Sequence, residues 1–231
     1  MMFHKKIEAI YQRLENHILP FMGDAYDHPQ PDDLRVMGLG INSYISKGNW
    51  PPRPEWFASW FKQPKYRFFC GARRYFITLA SELHTSKYFS ELSYRDLHGA
   101  YLTNAIKTYL SEATGKKACQ VASSQYEKYL PQWREELDTM AKYGVLPHLL
   151  VVFGQPFWRY ACNTFSQDTK FKHISRLYPH ANLYKVVGSA AGHHLLLVGV
   201  AHPSAPRGKV TTKWLCSQKD FRNIIGLPEA K

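Results

Sequence analysis

The feature that most constrains this chain is a short apolar run near its C-terminus, His194–Ala201, which reads His-Leu-Leu-Leu-Val-Gly-Val-Ala. Its length and composition are those of a strand buried on both faces. It stops abruptly at His202-Pro203-Ser204, followed by Ala205-Pro206-Arg207-Gly208. A strand of this kind needs cover on each side, so helices must separate it from its neighbours in the sheet. In an open parallel sheet, ligands bind in the crevice beyond the carboxyl ends of the strands. His202 is therefore delivered to a place where chemistry is possible.

Three other runs have the same character: Leu34–Gly40, Arg95–Leu102 with its end near Thr103-Asn104, and Pro147–Gly154. Helical spacing predicts helices over Lys5–Leu19, Glu55–Lys62, Arg73–His84, Gln155–Phe165 and Lys213–Ile225. Ser124–Tyr143 predicts an amphipathic helix that Pro131 can break and Gly144 caps. Gly23–Asp33, Ile41–Pro54 and Ser111–Lys117 read as loops or turns, Ala105–Leu110 is ambiguous, and Gln167–Leu183 is basic and irregular. Tyr184–Val187 fits an extra strand. Strands alternating with helices predict an α/β domain with a mainly parallel sheet. No repeat or linker divides the chain, so one domain over residues 1–231 is expected, with its core at about 34–208.

The formal net charge is +12, from 30 Lys and Arg against 18 Asp and Glu, and 15% of residues are aromatic. That combination suits a polyanion with stackable bases; a basic protein with no such partner is the alternative. No run reaches the roughly 20 apolar residues that span a bilayer. Met1–Lys6 is charged and no apolar signal segment follows, which predicts an intracellular protein. Cys70, Cys119, Cys162 and Cys216 are far apart, so buried free thiols are expected rather than a zinc or iron–sulfur site. The His193–His194 pair has no third ligand partner in sequence and reads as structural.

Three strand ends deliver related polar groups: Gly40-Ile41-Asn42-Ser43-Tyr44, Asn104, and His202-Pro203-Ser204. Parallel strands bring such ends to one edge. Two amides and a histidine, with Tyr44 and Trp50 nearby, would form a pocket for a flat, hydrogen-bonding ring. Each residue also has an ordinary reading. Asn42 fits a turn, Asn104 a helix N-cap, Trp50 a packed loop aromatic and His202 a plain strand-end histidine.

This pattern resembles the uracil-DNA glycosylase superfamily. Gly40-Ile41-Asn42-Ser43-Tyr44 is similar to the family's first motif, a hybrid of its Gly-x-Asp-Pro-Tyr and Gly-x-Asn-Pro-Gly forms. Leu102-Thr103-Asn104-Ala105 is similar to the Leu-Asn-Ala of uracil-specific members, and His202-Pro203-Ser204 matches the last motif. The resemblance spans roughly Leu34 to Gly208. It implies a three-layer α/β/α sandwich around a four-stranded sheet, acting as a monomeric, cofactor-free DNA glycosylase.

The resemblance further implies roles. The target base leaves the stack, at a cost of a few kcal/mol, and enters a pocket that reads its edge. His202 would donate to a pyrimidine carbonyl as charge builds on the departing base, an effect worth roughly 3–4 kcal/mol. Asn42 would position the attacking water, since an amide is no general base. Gly40, Ser43, Tyr44 and Asn104 would line the base site. Asn104 can donate and accept at once, and Trp50 would stack, with Trp56 as substitute. Ser204, Pro206 and Arg207 would engage the duplex, and Lys47, Arg53 and Lys209 its backbone.

Ser43 stands where the family has proline or its equivalent. Tyr44 in its usual place favours uracil over thymine; moved aside, it admits a bulky C5 substituent. Uracil, an oxidised pyrimidine and a hypermodified phage-type pyrimidine all remain open, and with them repair or defence. No lysine stands out as a Schiff-base nucleophile, so lyase activity is not expected. Gly38-Leu39-Gly40-Ile41-Asn42-Ser43 imitates a dinucleotide-binding loop but lacks its third glycine, and Pro51, Pro52 and Pro54 push the next helix away. No Gly-x-Ser-x-Gly occurs for a serine hydrolase. The rival that stands is a non-catalytic nucleic-acid-binding module on the same fold.

Overall fold

Apolar runs of five residues form the middle of one sheet. The computed structural model describes residues 2–40, 43–45, 49, 51–64, 66–86, 91–93, 97–111, 127–153, 171–177, 181–186, 196–200, 217 and 219–224. Its strands are β1 Phe21–Met22, β2 Val36–Gly40, β3 Ser43–Ile45, β4 Ala100–Asn104, β5 Tyr109–Ser111, β6 Leu149–Phe153, β7 Phe171–Leu177, β8 Ala181–Val186 and β9 Leu196–Val200. Its helices are α1 Phe3–Tyr11, α2 Trp56–Lys62, α3 Arg67–Leu83, α4 Leu130–Lys142 and α5 Lys219–Ile224. Every residue of β2, β4 and β6 is buried, which is why these strands read as continuous apolar runs.

The chain is α/β, but its main sheet is mixed and has seven strands, in the order β1-β4-β2-β6-β9-β8-β7. β4, β2, β6 and β9 pair in parallel. Antiparallel strands flank them, β1 on one edge and the β8–β7 hairpin on the other. This corrects the expected mainly parallel, four-stranded sheet. β7 lay hidden in the stretch expected to be irregular, because its pairing slips between His173 and Ser175, whereas β8 is the extra strand expected from Tyr184 and begins three residues before it. Such a slip breaks the period-two pattern by which a strand is recognised. β1, at two residues, is too short to carry a period at all.

Side chains alternate between two apolar clusters. Val36, Ala100, Leu102, Leu149, Val151 and Phe153 pack with residues of α2 and α3. Met37, Leu39, Tyr101, Leu150 and Val152 pack with residues of α1 and α4. A five-residue strand buried on both faces thus serves two cores at once.

Several boundaries differ from the sequence reading. The first helix ends at Tyr11, not Leu19. Asn16 adopts a left-handed φ of 51°. The segment after it is captured by the chain before β5: Ile18 N–H donates to the Lys107 carbonyl at 2.8 Å, and Tyr109 N–H donates to the Asn16 carbonyl at 2.9 Å. α3 starts at Arg67, six residues before the expected Arg73, because Phe69 and Ala72 extend its buried face. Pro131 does not break α4; it lies in the first turn, where its missing N–H costs nothing. Gly144 does end that helix, at φ 68°. Its N–H donates to Ala141 at 3.0 Å, and Val145 N–H to Met140 at 2.9 Å, the paired bonds of a Schellman motif.

Ser43–Ile45, expected as loop, and Tyr109–Ser111 form a small parallel sheet of their own. Ser111 therefore ends a strand and does not open a turn. Cys70, expected as a buried thiol, is exposed. The expected helix at 155–165 lies outside the described residues. Among the described residues, no helix is long and apolar enough to cross a membrane.

Candidate functional site

The parallel strands end level with one another. Gly40 of β2 pairs with Asn104 of β4, Leu39 with Val152 of β6, and Phe153 with Val200 of β9. Asn104, Gly40, Phe153 and Val200 therefore form a row across the carboxyl edge of the parallel strands. Asn42 and His202 lie outside the described residues. In sequence, each follows a member of this row by two positions, Asn42 after Gly40 and His202 after Val200.

Gly40 and Asn104, both expected in the base site, are in intimate contact. A Cβ on Gly40 would stand 2.3 Å from Asn104 Oδ1 and 3.2 Å from the Phe68 ring. Only glycine lets the amide lie this close to the strand backbone. Ala105 N–H donates to the Gly40 carbonyl at 2.9 Å, extending the pairing past the strand end. Asn104 is buried, and β4 leads through a bend to β5, so the helix N-cap reading of this residue is wrong.

Ser43 and Tyr44 lie in β3, with Tyr44 opposite Leu110 of β5. The last two residues of the first motif therefore belong to a paired strand. Arg53 is exposed just before α2, and its carbonyl accepts from Trp56 N–H at 3.1 Å. Trp56 is half-buried and stacks on Trp60, with centroids 5.8 Å apart. Lys47, Trp50, Ser204, Pro206, Arg207 and Lys209 lie outside the described residues. Among the described residues, no three His, Cys, Asp or Glu side chains group to hold a metal ion.

The sequence reading missed a closed polar cluster directly behind Asn104. Lys107 and Glu136 are buried together, with Nζ donating to Oε2 at 2.6 Å. The other two ammonium hydrogens reach the Tyr11 hydroxyl at 2.9 Å and Thr103 Oγ1 at 3.0 Å. Glu136 Oε1 accepts from Tyr11 at 2.5 Å and also from Tyr101. All three ammonium donors are thereby matched.

Burial lowers the Lys107 pKa, opposed by the Glu136 carboxylate. Burial also raises the phenols of Tyr11 and Tyr101 well above their ordinary value, helped by the charge of Glu136. With no route to water, the cluster is fitted for holding structure rather than moving protons. Thr103 and Lys107 bracket Asn104 in sequence, so the cluster grips the segment on both sides of it.

A faint signal for this cluster exists. Glu136 lies on the buried stripe of α4 with Trp133, Leu137 and Met140, where a carboxylate is unexpected without a partner. Nothing local identifies Lys107 as that partner, because 29 residues separate the two.

No protein-family model matches the chain, and no curated protein matches it.

Proposed function

We propose that this chain is a monofunctional DNA glycosylase. It turns a uracil or modified pyrimidine out of DNA and hydrolyses the N-glycosidic bond, leaving an abasic site. In this reading the parallel core and its helices are the three-layer sandwich of a uracil-DNA glycosylase. The supporting observation is the strand-end row, in which Gly40 and Asn104 touch and from which Asn42 and His202 follow at equal offsets. An amide packed against bare backbone is pre-organised, and a pre-organised group reads an edge without first having to be ordered. His202 would hold the charge of the leaving base, Asn42 the water, and Asn104 the pyrimidine edge. Repair of damaged DNA and defence against hypermodified DNA both use such a reaction.

The test is mass spectrometry of bases released from DNAs carrying uracil, oxidised pyrimidines and glucosylated hydroxymethylcytosine, with alkali cleavage of the product strand. One released base and one alkali-labile site are expected. His202→Ala should lose excision by roughly a hundredfold or more while DNA binding persists. Tight binding with no released base from any of these DNAs would identify a binding module instead.

A further inference from the structure

We propose that the end of α2 and the first two turns of α3 form a docking strip for a single DNA strand entering or leaving the site. Tyr66 and Trp60 supply its stacking surface, and Lys62, Arg67 and Arg74 its phosphate contacts. The inference rests on the glycosylase reading and adds the form of nucleic acid that it engages.

Three observations converge on this face. The first is the exposure of Tyr66. It is 47% exposed, and among the described residues only Met2 is a comparably exposed large apolar side chain. Its ring is held edge-on against Trp60 at 5.0 Å, and Trp60 in turn stands 5.8 Å from Phe69 in the core. Tyr66 is thus an open ring on a fixed base.

The second observation is place. Phe68, two residues on, lies 3.2 Å from where a Cβ on Gly40 would stand, and it meets Phe153 edge-on at 5.8 Å. Phe153, Phe68, Phe69, Trp60 and Tyr66 form an unbroken series of rings, with successive centroids 5.8, 5.2, 5.8 and 5.0 Å apart. The series runs from the strand-end row out to the surface. The strip therefore begins at the margin of the proposed site.

The third observation is charge. Residues 62–81 include five Lys or Arg and no Asp or Glu. Lys62, Arg67 and Arg74 are exposed, and among the described residues they are in no ion pair. Arg73 donates to the Lys62 carbonyl at 2.7 Å, which fastens α3 to the end of α2. Unpaired cations beside an open aromatic face match a strand whose bases are unstacked and whose phosphates lie alongside. A duplex hides its ring faces and has nothing to offer Tyr66.

The experiment measures binding of the full chain to a fluorescein-labelled, unmodified thymidine oligonucleotide of about 15 nucleotides, by anisotropy across a salt series. A duplex of the same length, an abasic strand of the same length and a polyglutamate peptide serve as comparisons. Tyr66→Ala should weaken thymidine-strand binding about tenfold with little change in salt slope, while Tyr66→Phe keeps wild-type affinity. Lys62→Gln/Arg67→Gln/Arg74→Gln should lower the salt slope by about 2.

Wild-type affinity in either Tyr66→Ala or the triple variant would overturn the strip. So would an abasic strand binding as tightly as thymidine, or polyglutamate displacing the strand at equal charge. Base excision with strand binding unaffected by Tyr66→Ala rejects the strip and leaves the glycosylase reading. Tyr66-dependent strand binding without any released base does the reverse.

Discussion

The ammonium of Lys107 and the carboxylate of Glu136 meet at 2.6 Å with both side chains shut away from water. Thr103 and the hydroxyl of Tyr11 complete the ammonium's contacts. The pair joins α4 to the segment that carries Asn104, and Tyr11 brings the end of α1 to the same point.

Lys107→Met leaves Glu136 buried as an uncompensated anion. It should lower stability by about 3–5 kcal/mol. Lys107→Met/Glu136→Gln removes both charges and keeps an acceptor for Tyr11 and Tyr101, so it should recover most of that loss. Denaturant melts of the two variants provide the check. Equal destabilisation by both would mean that the contacts, not the charge balance, are what matter.

The closeness of Gly40 and Asn104 leads to a double-mutant cycle. Gly40→Ala places a methyl group 2.3 Å from Asn104 Oδ1, and overpacking of this kind costs about 1–3 kcal/mol. Asn104→Ala in that background removes the clash. The double variant should therefore be more stable than the sum of the two single changes by about 1 kcal/mol. Strict additivity in thermal or chemical melts would contradict the contact. In the proposed reaction, both single variants lose excision, because each displaces or removes the amide.

His148 gives a pH signature independent of the site. Burial, and next the charge of Arg35, lower its pKa to about 4, while its Nδ1 accepts from the Arg35 N–H at 3.1 Å. In the unfolded chain it titrates near its ordinary value of about 6.5. Between these values the unfolded state binds the extra proton. Stability from this residue is therefore complete above about pH 6.5 and declines as pH falls toward 4. The loss is on the order of 3 kcal/mol. His148→Asn should flatten that part of the stability–pH curve; an unchanged slope between wild type and variant would refute the assignment.

Gly144 tests the end of α4 alone. Its φ is 68°, and among the described residues no atom beyond its own chain neighbours lies within 4 Å of the point a Cβ would occupy, so Gly144→Ala is penalised by its left-handed backbone and not by a clash. A loss of about 1–2 kcal/mol is expected in a denaturant melt, with no effect on DNA binding. A loss much beyond that would point to a packing role that the surrounding space does not suggest.

Much of this protein is written locally. The central strands are visible because successive residues face two cores and few polar side chains are admitted, as in Leu149–Phe153. The end of α4 is visible because glycine at 144 suits the left-handed backbone required there. Gly40, Asn42, Asn104 and His202 stand out as polar or small groups where apolar runs stop.

Tertiary structure decided the rest. β7, concealed by a slipped register, pairs antiparallel with β8, and β8 with β9, which makes the sheet mixed. The helix begun at Phe3 stops at Tyr11 because distant backbone groups at 107 and 109 claim the following segment. The aromatic series from Phe153 to Tyr66 and the Lys107–Glu136 pair join residues that sequence keeps far apart. Periodicity records how one segment meets solvent and core; which buried charge finds which partner is fixed only when the segments pack.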